Sequence, residues 1–168
     1  AGLGGLWLRA RHGPLRERWL AGLAPALGWP VRRITPMVAD DRLLGGLDIA
    51  ATLKTGRRAE ARGLLAEGPA VLVLAMAERA EPGFAGKLAP WLDAHSGAIV
   101  ALDEAAEDDA PPPRALTERL AFHVTLDAIA MGEAPDDAPD PAEIADARAR
   151  LAGVALPEDA GESLTGLA

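Results

Sequence analysis

Short apolar runs alternate along this chain with segments whose apolar residues recur at helical spacing, and this pattern predicts strands separated by helices. The run VLVL at residues 71–74 is uniformly apolar, which is typical of a strand buried on both faces in the middle of a sheet. Alternating buried strands and helices favour a mainly parallel α/β sheet covered on both faces. The predicted strands are residues 5–9, 31–34, 71–74, 99–102 and 122–126.

The predicted helices rest on apolar spacing together with start and stop residues. Pro14 suits the first turn of a helix that ends near Gly28, because the first turn needs no proline N–H and glycine readily closes a helix. Residues 82–92 and 114–120 are predicted helices on similar grounds, whereas residues 40–53 combine a Gly-Gly loop with a helical stretch.

A composition change near the end of the chain indicates a linker. Residues 131–141 are rich in Pro, Asp and Ala, as solvated linkers are. We therefore expect an α/β core at residues 1–130, an acidic Pro-rich linker at 131–141 and the start of a helical part at 142–168. In that last part the Asp-Pro-Ala-Glu cap predicts a helix at 141–151, and a further helix is expected to open at 163–168.

Composition narrows the chemistry that the chain can perform. Aromatic residues are only 4% of the chain and Tyr is absent, so the core must be aliphatic. There is no Cys, and His12, His95 and His123 lack the spacing of a metal site, which excludes disulfide, thiolate and zinc chemistry. No metal site is predicted. The four Trp do not alternate with basic residues, so no nucleic-acid partner is expected.

The lengths of the apolar stretches indicate whether the chain crosses a membrane. The longest apolar stretches, such as residues 70–77, are far shorter than the roughly 20 residues that cross a bilayer, and the first residues lack a signal-peptide pattern. These features predict a soluble cytoplasmic protein with no membrane span. Because the chain does not begin with Met, we expect it to be a fragment.

The net charge of −8 is unevenly distributed. Residues 1–62 carry 11 Lys and Arg against 5 Asp and Glu, whereas residues 63–168 carry 6 against 20, so the two parts have net charges of +6 and −14. This split favours contact with complementary protein surfaces. Ordinary solvated charged faces would produce the same split, and both interpretations stay open.

The first strand and helix enclose the place where a parallel sheet would hold a phosphate-binding loop. Residues 9–18, RARHGPLRER, contain one Gly and no Lys, Ser or Thr, and the chain has only Lys54 and Lys87. A Walker A loop needs several glycines, a Lys for the phosphates and a Ser or Thr for magnesium. The segment is therefore not a working phosphate loop. Arg11 and Arg16 would either attract an anion at the helix N-terminus or be ordinary surface arginines.

Two further places carry candidate chemistry. Asp103 and Glu104 follow an apolar strand, where such a pair could hold magnesium and orient water, or simply begin a solvated acidic loop. Arg119 stands between a predicted helix and the last strand, where it could present a cation to a neighbour's phosphate. The helix dipole also favours an Arg at that position, so a structural role is equally open.

Four segments together resemble the N-terminal AAA+ domain of the magnesium chelatase D subunits. They are LWLRARHGPLRERWL at residues 6–20, ADDRLLGGLDIAATL at 39–53, RGLLAEGPAVLVLAMAERA at 62–80 and ALDEAAEDDAPPPRALTERLAFH at 101–123, in register from about residue 5 to residue 127. The resemblance implies an AAA+ parallel sheet flanked by helices, followed by the start of a helical lid in which this chain stops.

The resemblance also implies an activity and partners. Magnesium chelatase inserts Mg²⁺ into protoporphyrin IX in chlorophyll and bacteriochlorophyll synthesis, driven by ATP hydrolysis in its I subunit. The implied partners are the I subunit, in a hexameric-type ring or double ring, and in the full complex the porphyrin-binding H subunit. ATP and Mg²⁺ would then be held by the I subunit, and no cofactor is expected on this chain.

Departures from the I subunit agree with the residue-level tests. His12, Gly13 and Pro14 stand where that subunit has Gly-Lys-Ser, so they would form a degenerate, non-functional phosphate loop. Ala75-Met76 replaces the Walker B Asp-Glu, and Ala106 replaces the sensor Asn. The implied role is a module that organises and activates the I subunit without itself hydrolysing ATP efficiently, so that the isolated chain would be inactive.

By similarity to the LLDRF segment of the I subunit, LTERL at residues 116–120 places Arg119 at the arginine-finger position, acting on the nucleotide of a neighbouring subunit. The hairpin that the family inserts after the preceding helix is expected to be short here, at residues 94–98. Two alternatives stay open: a divergent magnesium-dependent NTPase that uses Asp103 and Glu104, and a purely structural scaffold.

Overall fold

The computed structural model describes residues 3–105, 110–127, 129, 140–151 and 153–154. The chain divides into two compact units, Ala1–Ala134 and Pro135–Ala168. The expected linker at residues 131–141 falls almost wholly outside the described residues, so the predicted domain boundaries stay predictions. The same holds for the helix expected at residues 163–168.

A five-stranded sheet forms the centre of the first unit. Its strands, in chain order, are β1 (Gly5–Arg9), β2 (Val31–Ile34), β5 (Ala70–Leu74), β6 (Gly97–Asp103) and β7 (Phe122–Thr125). They lie in the order β2-β5-β6-β1-β7, and every neighbouring pair is parallel. The parallel α/β sheet predicted from the apolar runs is confirmed. Because the strands are parallel, all their carboxyl ends lie along one edge and all their amino ends along the opposite edge.

Helices cover both faces of the central strands of this sheet, whereas the edge strand β7 is exposed. These helices include α1 (Pro14–Leu27) and α4 (Pro82–Asp93). Successive strand residues point to opposite faces, and the wholly buried β5 divides its side chains accordingly. Leu72 packs in one apolar cluster with Leu88 of α4, whereas Val73 packs in the other with Leu20 of α1.

The helix starts agree with the sequence predictions. Pro14 and Pro82 are the first residues of α1 and α4, where a missing N–H leaves no intrahelical bond unmade. Gly28 closes α1 in the left-handed conformation at φ 68°, and its N–H donates to the Ala24 carbonyl. After α4, His95 adopts φ 52° and turns the chain directly into β6. The connection between α4 and β6 is therefore too short to contain a hairpin.

The helix predicted at residues 114–120 is shorter than expected. The structure has α5 at Arg114–Thr117. The N–H groups of Arg119 and Leu120 donate to carbonyls three residues earlier, at 3.1 and 3.2 Å, so the chain continues as a tight turn. The reason is geometric: β7 begins at Phe122, and the turn lets Leu120 point into the core, where it is buried.

A small insert between β2 and β5 was not predicted as a hairpin. Helix α2 (Asp40–Leu44) leads into β3 (Gly45–Leu47), and after α3 (Ile49–Thr55) the strand β4 (Glu60–Arg62) pairs with β3 in antiparallel register. Gly45 has φ 89°, and a Cβ there would overlap the Ala61 carbonyl oxygen. A strand that starts with two glycines lacks the β-branched signal of a strand, and the sequence therefore suggested a loop.

The second unit contains helix α6 (Pro141–Leu151), at the predicted residues. The side chain of Asp140 accepts a hydrogen bond from the Ala142 N–H at 2.9 Å, as expected for its cap. The Gly153 N–H donates to the Arg150 carbonyl at 3.0 Å, just beyond the helix end. Among the helices in the described ranges, none has the length and hydropathy of a membrane-spanning helix.

Candidate functional site

The carboxyl edge of the sheet holds the segment that replaces a phosphate loop. Only residues 10–13 separate β1 from α1, whereas a Walker A loop spans eight positions from its first Gly to its Ser or Thr. His12 is 76% exposed and lies 4.0 Å from Glu17. Gly13 is in an ordinary extended conformation, and Pro14 offers no N–H. The three residues lie together in a connection shorter than a Walker A loop.

Arg16 is buried, with 4% of the residue exposed, which corrects both sequence-based interpretations of it as a surface or anion-attracting arginine. Its Nη1 donates to Glu104 Oε1 at 2.6 Å and to the Ala10 carbonyl at 3.3 Å. Its Nη2 donates to Glu17 Oε1 at 3.2 Å. The guanidinium is therefore a structural bridge between β1, α1 and the end of β6.

Glu17 joins this network to β2. Arg33 donates to Glu17 Oε2 at 2.8 Å while Arg16 holds the other oxygen. The hydrogen bond from Arg33 lowers the pKa of Glu17 below its ordinary value of 4.5; burial opposes this effect and Arg16 reinforces it. The first turn of α1 thus carries a stabilised negative charge, which also suits the positive end of the helix dipole.

Asp103 and Glu104 are both engaged by protein groups. Asp103 is only 2% exposed. Its Oδ2 accepts the indole N–H of Trp7 at 3.0 Å, and its Oδ1 accepts the Ala105 N–H at 3.0 Å. Glu104 holds Arg16. Among the described residues, no group of three or more His, Asp or Glu side chains is arranged to hold a metal ion.

The described residues at this edge do not fit a nucleoside triphosphate with magnesium. The Arg11 N–H, a loop amide that could meet a phosphate, donates to Asp127 Oδ1 at 3.1 Å. After β5 the chain passes through Ala75 and Met76, so no carboxylate stands at the strand end, and Met76 itself is left-handed at φ 54°. The nearby Glu78 accepts the Glu104 N–H at 3.2 Å. The Arg11 and Glu104 N–H groups are therefore already hydrogen bonded to carboxylates of the chain itself.

Arg119 lies at the opposite edge of the sheet. It lies three residues before the start of β7, and its carbonyl packs against Gly4, which precedes β1, so closely that a Cβ on Gly4 would overlap it. It is therefore near the amino ends of the strands, remote from the β1–α1 turn at their carboxyl ends.

The guanidinium of Arg119 is held on two sides. Nε and Nη2 donate to the two carboxylate oxygens of Asp93 at 2.8 and 3.1 Å. Nη1 donates to the Ala115 carbonyl at 2.8 Å and to Glu118 Oε1 at 2.9 Å. The hydrogen bond from Asp93 raises the pKa of Arg119, so the side chain is a permanent cation. It is 28% exposed and borders an open cavity of about 300 Å³ together with Leu3 and His95.

Sequence reasoning missed Asp93, and it named Arg16 only as an anion-attracting or surface arginine, not as a buried bridge. A weak signal existed for Asp93, because it ends α4, where the helix dipole disfavours a carboxylate unless a cation compensates it. For Arg16 the signal was weaker still, since burial of an arginine depends on three carbonyl or carboxylate oxygens that come from separate elements.

Comparison with known proteins finds similarity along the whole chain. It is 52% identical over 168 residues to the magnesium-chelatase 60 kDa subunit of Cereibacter sphaeroides, covering 100% of this chain and 30% of that protein. It is 42% identical over 161 residues to the magnesium-chelatase 60 kDa subunit of Rhodobacter capsulatus, covering 95% of this chain and 28% of that protein. The chain thus spans less than a third of these relatives. No protein-family model matches it.

Solved structures give the fold. An ATPase structure from Cytophaga hutchinsonii superimposes with a TM-score of 0.55 at 14% identity, covering 79% of this chain and 44% of that one. A model of the complex between subunits BchI and BchD of magnesium chelatase superimposes with a TM-score of 0.53 at 18% identity, covering 88% and 59%. These likenesses confirm the fold class, a parallel sheet flanked by helices, and the sequence matches confirm the resemblance stated above.

Proposed function

From the similarity of the whole chain to part of the magnesium-chelatase 60 kDa subunits, we propose that it is the N-terminal AAA+ module of a magnesium chelatase D subunit. In this proposal the module assembles with the I subunit in a ring and activates ATP hydrolysis there. The complete complex, with an H subunit carrying protoporphyrin IX, then inserts Mg²⁺. The module itself is not an efficient ATPase.

One observation carries this proposal: the two edges of the sheet differ. At the carboxyl edge, Asp127 accepts the Arg11 N–H of the β1–α1 turn, and Arg16 donates to the Ala10 carbonyl and to Glu104. At the amino edge, Arg119 is a partly exposed cation beside an open cavity. A module of this kind is poorly suited to holding its own triphosphate but can offer a guanidinium to a neighbour's.

The chemistry of such a contact is electrostatic. In phosphoryl transfer, negative charge spreads over the transferred group and an arginine from a neighbouring subunit stabilises it in the transition state. A guanidinium suits this task because its planar fork can donate two parallel hydrogen bonds to phosphate oxygens. Arg119 would therefore raise the rate of hydrolysis at an I-subunit nucleotide without requiring a nucleotide of its own.

The experiment is ATP hydrolysis by an I subunit mixed with this chain, carrying either Arg119→Ala or Arg114→Ala. Arg114 is the matched control, because it lies on α5, also contacts Glu118, and is 93% exposed. We expect Arg119→Ala to lower the increase in rate that the chain gives by at least about tenfold, and Arg114→Ala to leave it unchanged. Light scattering checks that both variants still assemble. An unchanged rate with Arg119→Ala would support the scaffold hypothesis instead.

A further inference from the structure

We propose that Asp93 is a positioning residue for Arg119, fixing the plane of its guanidinium so that it faces the nucleotide of the neighbouring subunit. The inference rests on the proposed function and adds a second residue to the same interface. Asp93 does not touch the reacting atoms. It acts by holding both Nε and Nη2 of Arg119, the two groups along one side of the fork.

The position of Asp93 supports this role. It is the last residue of α4, where the negative end of the helix dipole repels a carboxylate. Of the ion pairs that the structure describes, the one with Arg119 is the contact that offsets this repulsion. The Asp93 carboxylate is therefore destabilised by the dipole of its own helix and stabilised by its ion pair with Arg119.

Both partners stand on rigid supports. Leu92, next to Asp93, and Leu120, next to Arg119, are 3% and 4% exposed and belong to the same apolar cluster. His95, two residues beyond the end of α4 at Asp93, is in the left-handed conformation and borders the same cavity. The backbone of each partner is thus fixed, and only the side chains remain to be oriented.

The strength of the Asp93–Arg119 ion pair indicates whether Asp93 orients the guanidinium or holds it away from a phosphate. An exposed carboxylate–guanidinium pair shifts an equilibrium by no more than about fivefold. That is too little to keep Arg119 from a phosphate, which attracts the guanidinium far more strongly in a closed interface. It is enough to restrict the rotamers of a long, flexible side chain before the neighbour arrives.

The test is a double-mutant cycle in the mixture of this chain and the I subunit, comparing Asp93→Asn, Arg119→Ala and the double variant. Asp93→Asn is expected to lower kcat about threefold with KM for ATP unchanged, and to have no further effect when Arg119 is already Ala. Asp93→Glu, which keeps the charge, is expected to recover part of the rate. The control is Asp40→Asn, which removes another exposed pair to α4, at Lys87.

The outcomes separate the two proposals. If Arg119→Ala lowers the rate and Asp93→Asn does not, the inference fails while the proposed function stands. A rise in rate with Asp93→Asn, or an equal fall with and without Arg119, also overturns the inference. If Arg119→Ala changes nothing, the proposed function itself fails. If Asp93→Asn assembles poorly, kcat is measured with Asp93→Glu instead. A kcat below that of the unaltered chain supports the positioning role of Asp93, and a kcat equal to it contradicts that role.

Discussion

At the scale of single residues, charged side chains of the chain itself hold the carboxyl edge of the sheet together. Arg16 bridges Glu17 and Glu104, and Asp103 ties Trp7 of β1 to the backbone after β6. Buried charges persist only when they are paired and hydrogen bonded, and each of these groups has its partners. Removing one side chain of such a pair leaves the charge or the hydrogen-bonding group of the other side chain unpaired.

Asp103→Ala tests this structural role. The change leaves the partly buried indole N–H of Trp7 and the N–H of Ala105 without their acceptor, at a cost of about 1–3 kcal/mol for each unpaired donor. We expect the free energy of unfolding in urea to fall by at least about 2 kcal/mol. Asp40→Ala, at a carboxylate that is 62% exposed, is expected to change it by less than about 0.5 kcal/mol. Equal losses for the two variants would refute the assignment.

Glu17 gives a pH-dependent prediction. Its pKa is lower in the folded chain than in the unfolded chain, so the stability that its ion pairs contribute is complete above about pH 4.5. That contribution disappears as the pH falls through the lowered pKa. Arg33→Ala removes the largest cause, and we expect the pKa of Glu17 to rise, as measured by NMR titration of its carboxyl carbon. A pKa that stays where it is would show that Arg33 does not set it.

At the scale of elements, the strands were predictable and the insert was not. Uniformly apolar runs such as that of β5 are typical of strands buried on both faces of a parallel sheet, and this property is local to the sequence. The antiparallel pairing of β3 with β4 depends on Gly45 approaching the backbone of Ala61. This is a tertiary contact that no local sequence pattern indicates. The short α5 likewise follows from the position of β7.

The packing of α4 on the sheet is testable with two leucines. Leu88 is fully buried among the side chains of β5 and β6, whereas Leu53 of α3 is 79% exposed. We expect Leu88→Ala to lower the free energy of unfolding by about 2–5 kcal/mol through lost burial and the cavity left behind. Leu53→Ala is expected to change it by less than about 0.5 kcal/mol. A small effect at Leu88 would mean that α4 does not belong to the cooperative core.

At the scale of the whole molecule, the first unit has two unlike edges. Its sequence alone indicated that the phosphate loop is degenerate, because the residue types that bind phosphate are missing from residues 9–18. It could not show that Asp127 accepts the Arg11 N–H or that Arg16 pairs with Glu104, since those contacts join residues far apart in the chain. Activation of a partner through Arg119 and the role of the +6 and −14 charge split stay predictions.

Calorimetric titration of the isolated chain with ATP and Mg²⁺ tests the central claim most directly. If the chain's own side chains close the carboxyl edge, we expect no saturable heat up to millimolar ATP, corresponding to a binding free energy weaker than about −4 kcal/mol. Saturable binding at micromolar ATP, abolished by Asp103→Asn, would contradict the account and favour a divergent NTPase that uses Asp103 and Glu104.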